Sequence, residues 1–139
     1  DGAADSVSIE EINKLHSTGV VDFLGHLNDV RDAMRSCSVF VLPTIYNEGT
    51  PRSILEALST GRAVITTDMP GCRETVIDGY NGYLIQPNSL GSLITAIEAF
   101  IKQPHDIAKF GQNSRELAEN KYDVNIVVKQ IMKGMGLCY

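Results

Sequence analysis

The chain has 139 residues, 43% of them hydrophobic and 21% charged, with a formal net charge of −5 and a pI near 5.1. That size and balance are expected of one globular domain with a real core. The acidic surplus argues against broad binding to nucleic acid or anionic lipid, and no apolar run approaches the roughly 20 residues of a membrane span.

The first eight residues are small and polar and read as a loose lead-in without the features of a signal peptide. Residues 20–24 (VVDFL) read as a short strand stopped by Gly25, and residues 29–36 as a short helix with Val30, Ala33 and Met34 on one face. Residues 39–42 (VFVL) form a continuous apolar run stopped by Pro43, the pattern of a strand buried on both faces. A helix over 51–60 follows, then a strand over 63–66, a short helix over 73–77, a turn cluster over 78–82 and a brief strand over 83–85 closed by Pro87. The remainder is expected to be helical over 89–102, 106–121 and 123 to about 135. Strands alternating with helices imply an α/β fold: a parallel, partial Rossmann-like sheet of about four strands, with helices on both faces and a helical C-terminus. Cys37, Cys72 and Cys138 are widely spaced and form no C-x-x-C, so a reduced, cytosolic setting fits better than a disulfide framework or a zinc site.

The chemistry concentrates between the strand at 39–42 and the following helix. Thr50 has the character of an N-cap and Pro51 suits a first helical position, where its missing N–H costs nothing. Free amides and the helix dipole then offer a place for an anion, at the carboxyl end of a strand where open α/β sheets bind ligands. Gly49 lets backbone approach a ligand, and Glu48 beside it would accept hydroxyl hydrogens. An anion with neighbouring hydroxyls describes a nucleotide sugar. Equally open from these residues alone is an ordinary surface helix, with Glu48 as an acid near its N-terminus and Glu56 paired to Arg52 one turn back. Cys37 and Cys72 read as small packing residues rather than nucleophiles, Tyr80, Asn81 and Tyr83 as turn and packing residues, and Arg73-Glu74 as a local ion pair. His16 and His105 have no partner pattern. No D-x-D, G-x-G-x-x-G or Walker loop is present, and no metal site is expected.

Glu48-Gly49-Thr50-Pro51 through Glu56-Ala57-Leu58, continuing to Gly61-Arg62-Ala63-Val64-Ile65, resembles the E-x7-E signature of retaining glycosyltransferases of family 4, which have the GT-B fold. Four further segments stand in family order: the V-x-F-L-G of 21–25, the V-x-V-L-P of 39–43, a G-G-x-x-E-like stretch at 70–74 and the D-G-x-N-G-x-L turn of 78–84. The resemblance implies transfer of a sugar from a nucleotide-diphosphate sugar, with UDP one candidate nucleotide, to an acceptor with retention at the anomeric carbon. It implies that Glu48 contacts donor-sugar hydroxyls as the catalytic acid of the signature. Gly49, Thr50, Pro51, Arg52 and Ser53 would face sugar and diphosphate, Glu56 would hold the ribose, and His26 and Leu27 would border the base. The donor is a substrate, and no cofactor is implied.

The family's basic diphosphate-binding pair, a Gly-Arg followed by a Lys-Gly, is not found here, since Gly61-Arg62 precedes a strand. On this resemblance residues 1–139 are expected to be one incomplete nucleotide-sugar-binding domain, the later part of the C-terminal domain of a GT-B enzyme, and inactive in isolation. The parent would be cytoplasmic, at the inner membrane face if peripheral, in polysaccharide or glycolipid assembly. It would take a saccharide or lipid-linked acceptor through an N-terminal domain, and the open sheet edge would pair with a strand or a second copy. The other readings are a non-catalytic sugar-nucleotide-binding or scaffold module of the same fold and, less well matched, a sugar-nucleotide epimerase.

Overall fold

In the computed structural model, which describes residues 7–47 and 49–137, the chain divides into two units, Asp1–Val30 and Arg31–Tyr139. Cys138 lies outside the described residues.

The first unit carries a helix absent from the expected elements, α1 (Ile9–Ser17). It opens on a reciprocal cap: Ser8 Oγ accepts from the Glu11 amide at 3.2 Å, and Glu11 Oε2 accepts from the Ser8 amide at 3.0 Å. Ser8, expected in the loose lead-in, is thus the cap of α1, and residues 1–6 lie outside the described residues. The Ser8 amide first, and then Ser8 Oγ donating to Glu11 Oε2 at 3.0 Å, hold the Glu11 carboxyl below its ordinary value of 4.5. The strand expected at 20–24 does not form. Those residues carry no ladder, and the Phe23 amide donates to His16 Nδ1 at 3.2 Å instead. A strand exists through its pairing, and backbone that bonds to a side chain has no pairing to extend. His16, unassigned from sequence, is what ties this segment to α1.

The second unit holds α2 (Arg31–Ser36), β1 (Val39–Leu42), α3 (Arg52–Ser59), β2 (Ala63–Thr67), β3 (Gly82–Ile85), α4 (Leu90–Lys102), α5 (His105–Lys121) and α6 (Val124–Gly134). The strands form a parallel sheet in the order β1-β2-β3, with Val39 opposite Ala63 and Val64 opposite Gly82. The sheet thus has three strands among the described residues, against about four expected. β2 is buried along its whole length, which requires cover on both faces. On one face Ala63, Ile65 and Ile85 pack with Ala96 and Phe100 of α4 and Phe110 of α5. Tyr83, Phe100 and Phe110 meet there with ring centroids 5.0–5.7 Å apart.

The strand expected to be buried on both faces, β1, is an edge strand with Val41 38% exposed. Beside it an apolar groove of about 320 Å³ runs between Val39, Val41, Ile97 and Ile101. The helix expected at 73–77 is a run of turns, in which Cys72 and Arg73 amides both donate to the Met69 carbonyl. Too few residues separate Thr67 from Gly82 for a covering helix of ordinary length, and β2 returns to β3 through the Asp78–Gly82 bridge. Asn81, fully buried, holds that turn: its amide donates to the Thr75 carbonyl at 3.1 Å and its oxygen accepts from the Ile77 amide at 2.7 Å.

Gly82 has no room for a side chain, since a Cβ there would lie 1.8 Å from the Val64 carbonyl oxygen. Replacing Gly82 by alanine must therefore separate β2 from β3, and thermal or denaturant unfolding should show a loss of more than about 3 kcal/mol. A second expectation concerns α1. Because the folded Glu11 carboxyl titrates below 4.5, its contribution to the cap is complete above that value and is lost as pH falls through the lowered one. Amide shifts of Ser8 and Glu11 should report fraying of α1 on acidification, and Glu11→Gln should remove that pH dependence.

Candidate functional site

The carboxyl end of β1 leads through Pro43 into residues 44–50 and on to α3, so backbone topology brings the signature loop to the sheet end where α/β ligands bind. Glu48, the residue on which the sequence reading places most weight, lies outside the described residues. Tyr46 donates its amide to Thr44 Oγ1 at 3.2 Å, and Tyr46 is 68% exposed. A Cβ on Gly49 would meet nothing within 4 Å, so packing within the protein does not require glycine there.

The helix starts one residue later than expected. Pro51, extended at φ −63° and ψ 126°, is the N-cap, and no side chain among the described residues caps the helix. Thr50 is therefore outside the cap. The consequence favours a ligand. Ile54 and Leu55 amides reach the Pro51 carbonyl at 3.1 and 3.3 Å, while those of Arg52 and Ser53 have no partner among the described residues. Two N–H groups and the positive end of the helix dipole stand open together.

Ile54, Ala57 and Leu58 turn α3 into the core. The opposite face carries Arg52 and Glu56, joined at 3.0 Å between Nε and Oε1. This i,i+4 pair is the bland alternative of the sequence reading, and it is present. It does not close the site, because a carboxylate has about four acceptor positions and this pair uses one. Glu56 and Arg52 line a cleft of about 430 Å³ with Ser59, Arg115, Glu119 and Tyr122, placing the tip of α3 against α5 and the start of α6. Arg115 is held by Glu119 at 2.7 Å and by the Ser59 carbonyl. Sequence reasoning missed this wall. Its only signal is the i,i+4 spacing of Arg115 and Glu119, which any solvated helix face can show.

Arg62 is committed elsewhere: its Nη1 donates to the Cys37 carbonyl at 2.9 Å and its Nε to the Thr60 carbonyl at 3.1 Å, tying the end of α2 to the turn after α3. Arg73 pairs at 2.8 Å with Asp68 rather than with Glu74. Arg52, with its side chain 91% exposed, is bonded only to the Glu56 carboxylate among the described residues. His26 and Leu27 belong to the first unit and are exposed. Cys72 is buried and Cys37 half-buried, both as free thiols. Among the described residues no helix is long and apolar enough to cross a membrane.

An open helix start after a parallel strand, with an acid one turn on, is the arrangement found here among the described residues. Residues 1–117 match the family described as glycosyl transferases group 1, and the chain belongs to that family. It is 30% identical over 132 residues to the N,N'-diacetylbacillosaminyl-diphospho-undecaprenol alpha-1,3-N-acetylgalactosaminyltransferase of Campylobacter jejuni, covering 95% of this chain and 34% of that one. Among solved structures, Anabaena HepE in complex with UDP superposes with a TM-score of 0.81 at 27% identity, over 91% of this chain and 35% of that one. The C-terminal domain of a group 1 glycosyl transferase from Francisella tularensis superposes with a TM-score of 0.67 at 26% identity, over 83% and 62% of the two chains. The chain spans about a third of the length of the curated relatives it matches.

The contrast between the two arginines is measurable. Arg52→Ala removes an exposed pair and should cost less than about 1 kcal/mol in denaturant unfolding. Arg62→Met strands carbonyls that the guanidinium now satisfies and should cost about 1.5–3 kcal/mol. The reverse ranking would contradict the assignment of Arg62 to structure and Arg52 to the open site.

Proposed function

We propose that this chain is the later part of the nucleotide-sugar-binding domain of a retaining glycosyltransferase, which transfers a sugar from a nucleotide-diphosphate donor to a saccharide or lipid-linked acceptor. The observation that carries this reading is the open start of α3. The Arg52 and Ser53 amides, without partners among the described residues, follow the loop that leaves the carboxyl end of β1, and Glu56 lies on the exposed helix face behind them.

In this reading the donor diphosphate takes the two amides and the dipole of α3. The bond between the anomeric carbon and the diphosphate oxygen breaks with its electron pair on the diphosphate, and the amides stabilise the charge that develops there. Gly49, Thr50 and Pro51 border the sugar, and Glu48 accepts from its hydroxyls. Glu56 receives the ribose hydroxyls on acceptor positions that Arg52 leaves free, and Arg52 can turn toward the diphosphate. No resident cofactor is required, and UDP is the favoured nucleotide because HepE, at 27% identity, was crystallised with it.

The reading extends to the acceptor and the setting by analogy with the Campylobacter relative, whose name specifies an undecaprenol-linked acceptor. A lipid-linked acceptor places the parent on the cytoplasmic face of a membrane, bound peripherally. The edge of β1, with its unpaired backbone and apolar groove, is the part of the sheet available to further strands of a longer protein or to a second copy. Residues 1–139 alone are expected to bind donor feebly and not to turn over.

Steady-state kinetics on the full-length protein test the two acids separately. Glu48→Gln should lower kcat more than it raises KM, because its contacts are to the reacting sugar. Glu56→Gln should chiefly raise the donor KM. If both variants stay within about twofold of the parent, less than about 0.5 kcal/mol of transition-state binding, the assignment fails.

A further inference from the structure

The last residue of β2, Thr67, is 1% exposed, and its Oγ1 has no hydrogen-bond partner among the described residues. The neighbouring Thr66 is satisfied, donating to the Leu42 carbonyl at 2.9 Å, so the omission is specific to one hydroxyl. Buried hydroxyls without partners are uncommon because desolvation is then uncompensated.

Side chains alternate along a strand, so Thr67 shares the face of Ala63 and Ile65, which packs against α4. On that face, at the carboxyl ends of all three strands, lies a cleft of about 270 Å³ lined by Thr67, Pro43, Ile45, Ile85, Leu90 and Leu93. Its rim is the start of α4. Ser89 caps that helix by accepting from the Ser92 amide at 3.2 Å, and Ser92 Oγ in turn accepts from the Gln86 amide. The amides of Leu90 and Gly91 have no partner among the described residues. Beside them Asn88 adopts φ +54°, the one left-handed non-glycine residue among those described. An orphaned buried hydroxyl, two open amides and a helix dipole thus share one end of the molecule, above an apolar floor.

We propose that this cleft is a second ligand site, distinct from the start of α3, which takes an oxyanion carried on a small apolar or mixed body. The oxyanion accepts from Thr67 Oγ1 and from the Leu90 and Gly91 amides, with the α4 dipole favouring its charge. The body rests on Pro43, Ile45, Ile85 and Leu93. No cationic side chain lines the cleft, so binding is weak for the bare ion and depends on burial of the attached carbons.

Backbone amide NMR of this chain, titrated with inorganic phosphate and separately with n-butyl phosphate, tests the proposal. Butyl phosphate should shift the Thr67, Leu90 and Gly91 amides and bind at least about tenfold more tightly than phosphate, since each buried methylene adds about fourfold. Thr67→Val should weaken this binding by about tenfold, the loss expected for one hydrogen bond to an anion. Thr67→Ser, which keeps the hydroxyl, should bind like the parent. Without ligand, Thr67→Val should melt no lower than the parent, because it removes an unsatisfied group. Shifts at Arg52 and Ser53 report the other site and should be indifferent to Thr67→Val, so failure at one site is distinguishable from failure at the other. The proposal is overturned by fixed Leu90 and Gly91 amides at high butyl phosphate, or by equal binding to the valine variant. Equal losses in the valine and serine variants would also overturn it, as would a lower melting point for free Thr67→Val, the sign of a bridging water.

Discussion

The parallel ladder on both sides of β2 is the constraint from which the rest of the second unit follows. Parallel strands cannot be joined by a tight hairpin, so their pairing must be held by what covers them and by the turns that return the chain. Here the return from β2 to β3 uses turns in place of a long helix, and it closes only because Gly82 lets its backbone reach Val64 and because Asn81 spends its donor and acceptor on the turn. The same logic recurs just before β2 begins. Gly61, at φ +68°, meets Gly111 of α5, where a Cβ would stand 2.3 Å from the Gly61 oxygen. These close approaches bring α5 beside α3 and so make the wall of Arg115, Glu119 and Tyr122 that faces Glu56.

Charge in this unit is arranged so that the cations are mostly engaged and the elements proposed to bind anions are backbone. Arg62 and Arg115 hold carbonyls, and Arg73 holds Asp68. What remains open among the described residues is the start of α3, with the exposed, Glu56-paired Arg52 beside it, and the start of α4. Backbone amides bind an anion through orientation rather than net charge, which is compatible with a chain of net charge −5. It also accounts for weak expected affinity when these amides act without further basic groups.

Much of this architecture is legible in residue order, and the departures have specific physical causes. Periodicity locates β1, β2, β3 and the three C-terminal helices to within a residue or two, because each has a strong apolar pattern between turn residues. The strand expected at 20–24 fails because β character needs a partner, which no local pattern can supply. The helix expected at 73–77 fails because it lies within a short crossover whose path is dictated by β2 and β3. By contrast, α1 was readable: Ser8 and Glu11 are a capping box at the right spacing. At the site, the Arg52–Glu56 pair was visible as i,i+4 spacing, while the one-residue shift of the cap to Pro51 depends on backbone angles that Thr50 and Pro51 do not by themselves decide. The orphaned Thr67 hydroxyl has no sequence signal at all, since satisfaction of a hydroxyl depends on what the fold places opposite it.

On the proposed function, the start of α3 receives the diphosphate of a nucleotide sugar while Glu56 receives its ribose. Amide NMR of the isotope-labelled chain during titration with UDP-glucose tests it directly. Weak, fast-exchange binding is expected, in which the Arg52 and Ser53 amides move first and furthest, with Glu56 following. Glucose alone should leave all three fixed. Saturating UDP-glucose that leaves Arg52, Ser53 and Glu56 unshifted, or shifts confined to other elements, would contradict it.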